Sequence, residues 1–341
     1  MLLGDKAHMK KLLKSLVLVA AVGAIATPAV YASESSLSRF SLSGFADMSI
    51  VDDDNGRSGG LDQFELNLGY DFGSGLTATV DVDYQDDGNL EQAYITYAAS
   101  DSVSIRAGRF LSYSGFEDAE PTGLYQYSTT GYEGYFYGGY QQGVSLYSAG
   151  ESLDFAVSVI SDLVDPKGKK PEEGSAYEAM LAYHPTDTLT LKGTYMIDEN
   201  EVDAVKMTNI WGSYSEEGLT LATEFSSSEN TDAAAEISGV EAEGRLVMVN
   251  YAWDVHGVTV RYHETEVTGA DGKTAVEDKA AITLAYSRAI TDNLSVITEY
   301  RFDDDNLADD FSDTFALEAL LSILPKKTVI VKSVAVFFCL F

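Results

Sequence analysis

The sequence predicts an all-β fold: a transmembrane, antiparallel, up-and-down β-barrel of about 16 strands, with a long third outer loop folded into its lumen. Three observations point there. Apolar and polar residues alternate with period two along most of the chain after Leu37, as they do in strands with one apolar and one polar face. The segments between these runs alternate between tight turns and longer acidic loops, as up-and-down strands require. Aromatic residues recur near both ends of the runs, which is how two interface girdles flank an apolar band.

The chain begins with a processing signal. Lys10, Lys11 and Lys14 precede the apolar run 16–25, and Val30-Tyr31-Ala32 offers small residues for cleavage. Residues 1–32 are therefore expected to be a secretory signal peptide, with Met9 a second candidate start. The barrel is expected over 33–324, and 325–341 forms a tail of unassigned role. No stretch after the signal reaches the roughly 18 consecutive apolar residues of a spanning helix, so a membrane location demands a closed barrel. A net charge of −32 argues against nucleic acid, whose phosphates call for Lys and Arg. The one cysteine, Cys339, gives neither a disulfide framework nor a cysteine metal site. Asp52-Asp53-Asp54-Asn55-Gly56 lacks the ligand spacing and distal Glu of a calcium loop, so no cofactor and no metal are expected.

Taken in order, Phe40, Leu42, Gly44, Ala46, Met48 and Ile50 alternate with Ser41, Ser43, Phe45, Asp47 and Ser49. Phe64 to Phe72 and Leu76 to Tyr84 repeat the pattern. The strands fall at 38–50, 61–72, 76–85, 90–98, 102–110, 143–149, 153–162, 177–184, 189–198, 205–214, 219–227, 245–253, 257–265, 279–288, 293–302 and 313–323. Seven connections are tight, from Gly73-Ser74-Gly75 to Ile290-Thr291-Asp292-Asn293. The longer ones lie at 52–60, 86–89, 111–142, 163–176, 199–204, 228–244, 266–278 and 303–312. Strands entering tight turns end in Tyr70, Tyr97, Tyr147, Tyr183, Tyr214, Tyr251 and Tyr286; Tyr84, Tyr195, Phe225, Tyr262 and Tyr300 mark the opposite end. A soluble β-sandwich would alternate too, but has no reason to place aromatics at both strand ends. Pro325-Lys326-Lys327 breaks the last strand.

Residues 111–142 stand apart. They hold seven tyrosines and four carboxylates (Glu117, Asp118, Glu120, Glu133), with no Lys or Arg. Loops of this length in a compact domain tend to be functional. Sixteen strands leave a water-filled lumen, and parity decides which residues line it. Asp47, Glu65, Asp81 and Asp83 fall inward on the first three strands, and Glu178, Lys192, Glu224, Arg261, Glu299 and Arg301 further round. Arg106 shares the inward parity, whereas Arg109 falls on the lipid side unless a bulge at Gly108 re-aims it. With the loop inside, Glu117, Asp118 and Glu120 would face Arg106, Arg261 and Arg301 across a constriction, with Arg109 a further candidate. The alternative is that these arginines simply pair with neighbouring carboxylates. The surplus of carboxylates predicts a weak cation preference. The tyrosines suit either packing against the wall or stacking on sugar rings. An enzyme is not expected: His184, His256 and His263 lie apart, and no Ser sits in a nucleophile elbow.

Several short segments carry a resemblance: Glu91-Gln92-Ala93-Tyr94, Arg106-Ala107-Gly108-Arg109-Phe110, Gly115-Phe116-Glu117, and the Ser/Tyr-rich loop closing at Gly143-Val144. Through them the chain resembles Gram-negative outer-membrane porins, above all the OmpL-like β-barrel porin family, and more loosely phosphate-selective porins. The resemblance implies a place in the lipid of the outer membrane, passive diffusion of small hydrophilic solutes and ions, and often a homotrimer. The tail departs from the pattern, since porins usually end on a terminal aromatic of the last strand. The acidity departs from a phosphate channel, which would want rings of Lys or Arg. A substrate-selective pore and a plugged structural or adhesion barrel remain as alternatives.

Overall fold

The computed structural model describes residues 38–84, 89–163, 175–199, 203–233, 237–308 and 310–323. The expected signal peptide and the 325–341 tail lie outside the described residues. The strands are β1 (Phe40–Asp53), β2 (Gly56–Gly73), β3 (Leu76–Asp83), β4 (Asn89–Ala98), β5 (Val103–Leu111), β6 (Tyr140–Ser148), β7 (Leu153–Ile160) and β8 (Ala176–Thr186). They continue as β9 (Leu189–Asp198), β10 (Val205–Glu216), β11 (Leu219–Ala233), β12 (Ile237–Trp253), β13 (His256–Thr268), β14 (Ala275–Ala289), β15 (Leu294–Asp305) and β16 (Asp310–Ile323). Each pairs antiparallel with its neighbour in sequence, and β16 returns to β1 to close the barrel. At the seam Ala46 faces Leu321, Met48 faces Ala319 and Ile50 faces Leu317.

Alternation decides which side of the wall each residue serves. In β8, Ala176, Glu178, Met180 and Ala182 are buried while Tyr177, Leu181 and Tyr183 are exposed. The outward set is apolar around the wall, including Val157, Leu181, Ile210, Val247 and Leu284. A band of that extent is unfavourable in water and suits hydrocarbon, where closure leaves no unpaired edge. Tyr97, Tyr183, Tyr251, Trp253 and Tyr286 are exposed at the turn end, and Tyr195, Phe225, Tyr262, Tyr300 and Phe302 at the loop end. Tyr147 breaks the expected lower girdle. It turns inward, is 9% exposed, stacks on Tyr113 at 6.1 Å and donates to Asp154 at 3.1 Å.

The tight turns hold residues that the hairpin geometry demands. Glu217 and Gly218, between the paired Glu216 and Leu219, both have positive φ (50° and 85°), as two-residue hairpin turns of the right twist require. The outer ends differ from the sequence expectation. Much of the segments 52–60, 228–244 and 303–312 is strand, with β1 running to Asp53, β2 starting at Gly56 and β12 at Ile237. Above the membrane both faces of a hairpin meet water, so the apolar half of the period-two signal disappears while the backbone pairing persists. At the β13–β14 tip, Asp271 accepts from the Thr274 hydroxyl and from the Thr274 and Lys273 N–H groups, which hold its carboxyl down at about 2.

Gly108 has φ +134°, and a Cβ there would lie 2.3 Å from the Ala93 carbonyl oxygen. Gly193 has nothing nearer than 3.9 Å. Gly108→Val is expected to cost at least about 1–3 kcal/mol through strain and lost β4–β5 pairing, and to lower refolding yield on heat-modifiable gels. Gly193→Ala should refold like the parent.

Candidate pore constriction

The loop leaves β5 after Leu111 and enters the barrel at once, because the wall supplies partners for its first polar groups. The Ser112 hydroxyl and the Tyr113 N–H both donate to Glu178 Oε1, at 2.5 and 2.8 Å. The Gly115 N–H donates to Asn209 Oδ1 at 3.0 Å. Two short 3-10 turns, Pro121–Gly123 and Tyr132–Gly134, then fold the segment back on itself.

The centre of the loop is built on Glu117. Its carboxylate accepts from the Thr130 N–H and hydroxyl (both 2.8 Å), from the Gln126 amide (2.9 Å) and from Arg261 Nη1. Arg261, fully buried, also donates to the Ser128 carbonyl (2.7 Å), the Ser128 hydroxyl (3.0 Å) and Thr283 Oγ1 (3.1 Å). Arg301 donates to the Thr129 carbonyl at 3.0 Å while pairing with Asp303. Glu299 accepts the Ser128 N–H at 3.0 Å. Buried charge of this kind is stable when its remaining donors and acceptors are also satisfied, and here the loop supplies most of the partners, Arg261 Nε excepted.

An aromatic knot anchors the next stretch. Tyr132, Phe136 and Tyr137 are buried against Ala222, Leu246, Met248 and Val267 of β11, β12 and β13. The Tyr132 hydroxyl reaches the carbonyls of Arg245 (2.7 Å) and Glu264 (2.8 Å), and Tyr137 donates to Glu224 at 2.7 Å. Phe116 meets Trp211 edge-on at 5.6 Å, and Lys192 lies 5.4 Å from the same indole. On the opposite wall Tyr127 hydrogen-bonds Ser49 of β1 at 3.1 Å, and Glu120 accepts from Gln63 of β2 (3.1 Å) and from Tyr140 (2.9 Å). The loop therefore crosses the lumen from β8–β15 to β1–β2.

The expected residues divide between these surroundings. Arg261 and Glu117 are brought together, and Arg301 meets the loop through a carbonyl rather than a carboxylate. Arg106 instead lies over the rings of Tyr94 (4.3 Å) and Phe110 (5.9 Å). Arg109 donates to the carbonyls of Leu90 and Glu91 and sits 5.5 Å from the Tyr140 ring. The β4–β5–β6 register is unbroken at Gly108, so no bulge re-aims it. Asp118 accepts the Glu120 N–H within its own loop.

Asp47, Glu65, Asp81, Asp83, Glu178, Glu224 and Glu299 are all buried on the inner side. Sequence reading passed over Glu318, equally buried and paired across the seam with Ser49, although its parity was legible. It also missed Glu91, which sits where the β3–β4 register slips between Asp81 and Val82. A slip of one residue leaves no trace in composition.

Glu117→Ala leaves the Arg261 guanidinium buried without its counter-charge, and should cost about 3–5 kcal/mol in urea unfolding of the refolded protein. Glu229→Ala, which breaks the exposed pair with Lys206, should cost at most about 1 kcal/mol in the same measurement.

The pattern of the family described as "Putative beta-barrel porin-2, OmpL-like" matches residues 51–323. No curated protein matches the chain. Several solved outer-membrane proteins share the fold. A loop-L8 deletion mutant of OmpT of Vibrio cholerae is 13% identical with a TM-score of 0.65, over 83% of this chain and 98% of that one. OmpF of Salmonella typhi, in complex with daunomycin, is 14% identical with a TM-score of 0.65, over 83% and 97%. An anion-selective porin from Comamonas acidovorans is 12% identical with a TM-score of 0.63, over 83% and 99%.

Proposed function

The chain belongs to the OmpL-like β-barrel porin-2 family, and we propose that it is an outer-membrane diffusion pore for small hydrophilic solutes and ions with a weak preference for cations. One observation carries the sign of that preference. The loop spends Glu117 on Arg261, so the basic part of the wall is largely neutralised at the constriction. On the other side, Asp47, Glu65, Asp81, Asp83 and Glu318 line β1, β2, β3 and β16, and among the described residues none of them forms an ion pair. A one-sided acidic wall beside a narrow, low-dielectric passage concentrates cations and repels anions.

The loop tyrosines favour a general pore over a sugar-selective one. Tyr113, Tyr127, Tyr132, Tyr137 and Tyr140 each commit the hydroxyl to the wall or the loop, and Tyr132 and Tyr137 are buried in the aromatic knot. A sugar slide needs ring faces open to the passage. The number of strands joined by the loop gives the second reading, a sealed lumen, its one supporting observation.

Reconstituted in planar bilayers under a salt gradient, the protein should conduct in discrete steps with a cation-preferring reversal potential. Asp47→Asn/Asp81→Asn/Asp83→Asn should move that potential toward zero. An anion-preferring potential sinks the selectivity reading, and a silent membrane favours the sealed barrel.

A further inference from the structure

We propose that Glu65 of β2, Glu91 of β4 and Glu120 of the loop form a calcium-type divalent cation site that clips the loop to the barrel wall. One carboxylate oxygen from each lies within 4.8 Å of the other two. Oxygens so spaced can share a centre at the roughly 2.3–2.6 Å of a calcium–oxygen bond, whereas Mg²⁺ at about 2.0–2.1 Å draws its ligands tighter. An anionic, all-oxygen donor set is what hard divalent cations select.

The state of the donors points to a ligand. Glu65 is 2% exposed, and its Oε2 is sealed from solvent with no hydrogen-bond partner; Glu91 Oε2 is in the same condition. A fourth carboxylate outside the cluster repeats the observation. Asp83 stands directly opposite Glu65 in the β2–β3 register, is 1% exposed, feels the charge of Glu91, and leaves its Oδ1 without a partner. Cross-strand neighbours on one face have Cβ atoms about 4.5–5.5 Å apart, so Asp83 borders the space between Glu65 and Glu91.

No ion pair supplies the missing positive charge, although Arg109 lies near enough to act on Glu91. Among the described residues no Lys or Arg makes an ion pair with Glu65, Asp83, Glu91 or Glu120. Arg109, one strand away, spends its Nε on the Leu90 and Glu91 carbonyls. The donors that do reach the cluster, from Asn67, Gln63 and Tyr140, are neutral. Carboxylates held this close repel one another strongly away from bulk water unless a proton or a cation is shared between them, and a divalent cation at their centre removes that repulsion for all three at once. It also gives the loop a second charged anchor, across the lumen from Glu117 and Arg261. The register slip at Glu91 acquires a purpose, since it brings that side chain to the cluster.

The test uses the full chain, refolded in detergent and stripped with EDTA. Calcium is titrated calorimetrically, and Tb³⁺ luminescence sensitised by tyrosine gives a second readout, with Tyr140 hydrogen-bonded to Glu120. The parent should show one tight event above weak binding by the outer loops. Glu120→Gln, in the loop, and Glu91→Gln, in the wall, should each weaken it by about tenfold or more. Asp53→Asn/Asp54→Asn, at the exposed β1–β2 tip, should leave it unchanged. Folding of each variant is checked by heat-modifiable mobility. A parent with no tight event, or glutamine variants that bind like the parent, overturns the site. Conductance is not read in this experiment, so its failure leaves the pore reading standing.

Discussion

Pairing of β1 with β16 is the constraint on which the rest depends. In hydrocarbon an unpaired N–H or carbonyl has no water to turn to, and a sheet with two free edges is untenable there. The seam between Gly44–Asp52 and Phe315–Ile323 removes both edges. Closure then divides every strand into an outer face that must be apolar and an inner face that must not be. It also creates an interior too wide for side chains alone to fill. The long loop answers that second requirement. Its tyrosines and carboxylates find partners on the inner wall that would otherwise go without.

The two halves of the inner wall meet the loop on different terms. From β8 to β15 the contact resembles a protein core: an aromatic knot, a buried ion pair, and arginines that donate to loop carbonyls. Toward β1, β2 and β16 the contacts are thinner, chiefly Tyr127 on Ser49 and Gln63 on Glu120. The passage, and the selectivity, should belong to the thin side. In the proposed pore, charges paired with the loop hold it in place, and unpaired charges act on what passes.

How much of this the sequence discloses depends on whether a residue obeys the period of two. Glu65, Asp81, Glu178 and Arg261 obey it, and their inward placement follows from counting along regular strands. Glu91 does not, because the slip between Asp81 and Val82 shifts it out of phase. The inward placement of Arg109 hangs on a bulge at Gly108, and the register there is unbroken. Tyr147 matched the girdle motif by position yet faces Tyr113, since an inward loop offers aromatic packing that no local pattern reports. The pairing of Glu117 with Arg261 spans 144 residues, and that of Tyr127 with Ser49 spans 78. Composition could say that the loop was acidic and aromatic, but not which wall would hold which end.

The acidic surplus has one further consequence. Protein charges buried beside each other are stable only if something balances them, and on the β1–β3 side no described Lys or Arg forms an ion pair with Asp47, Glu65, Asp81 or Asp83, although Arg106 acts on Asp81 from a distance. The rest of the balance can come from solution, as protons or as cations. In the proposed pore, mobile cations would supply it along Asp47, Asp81 and Glu318, and the charge of these residues would then bias what diffuses. Where Glu65, Glu91 and Glu120 converge within 4.8 Å, single mobile charges are a poor match for three fixed ones, and a held divalent ion is the better one. The proposed selectivity and loop anchoring thus draw on the same surplus at neighbouring positions, separated only by how tightly the carboxylates are gathered.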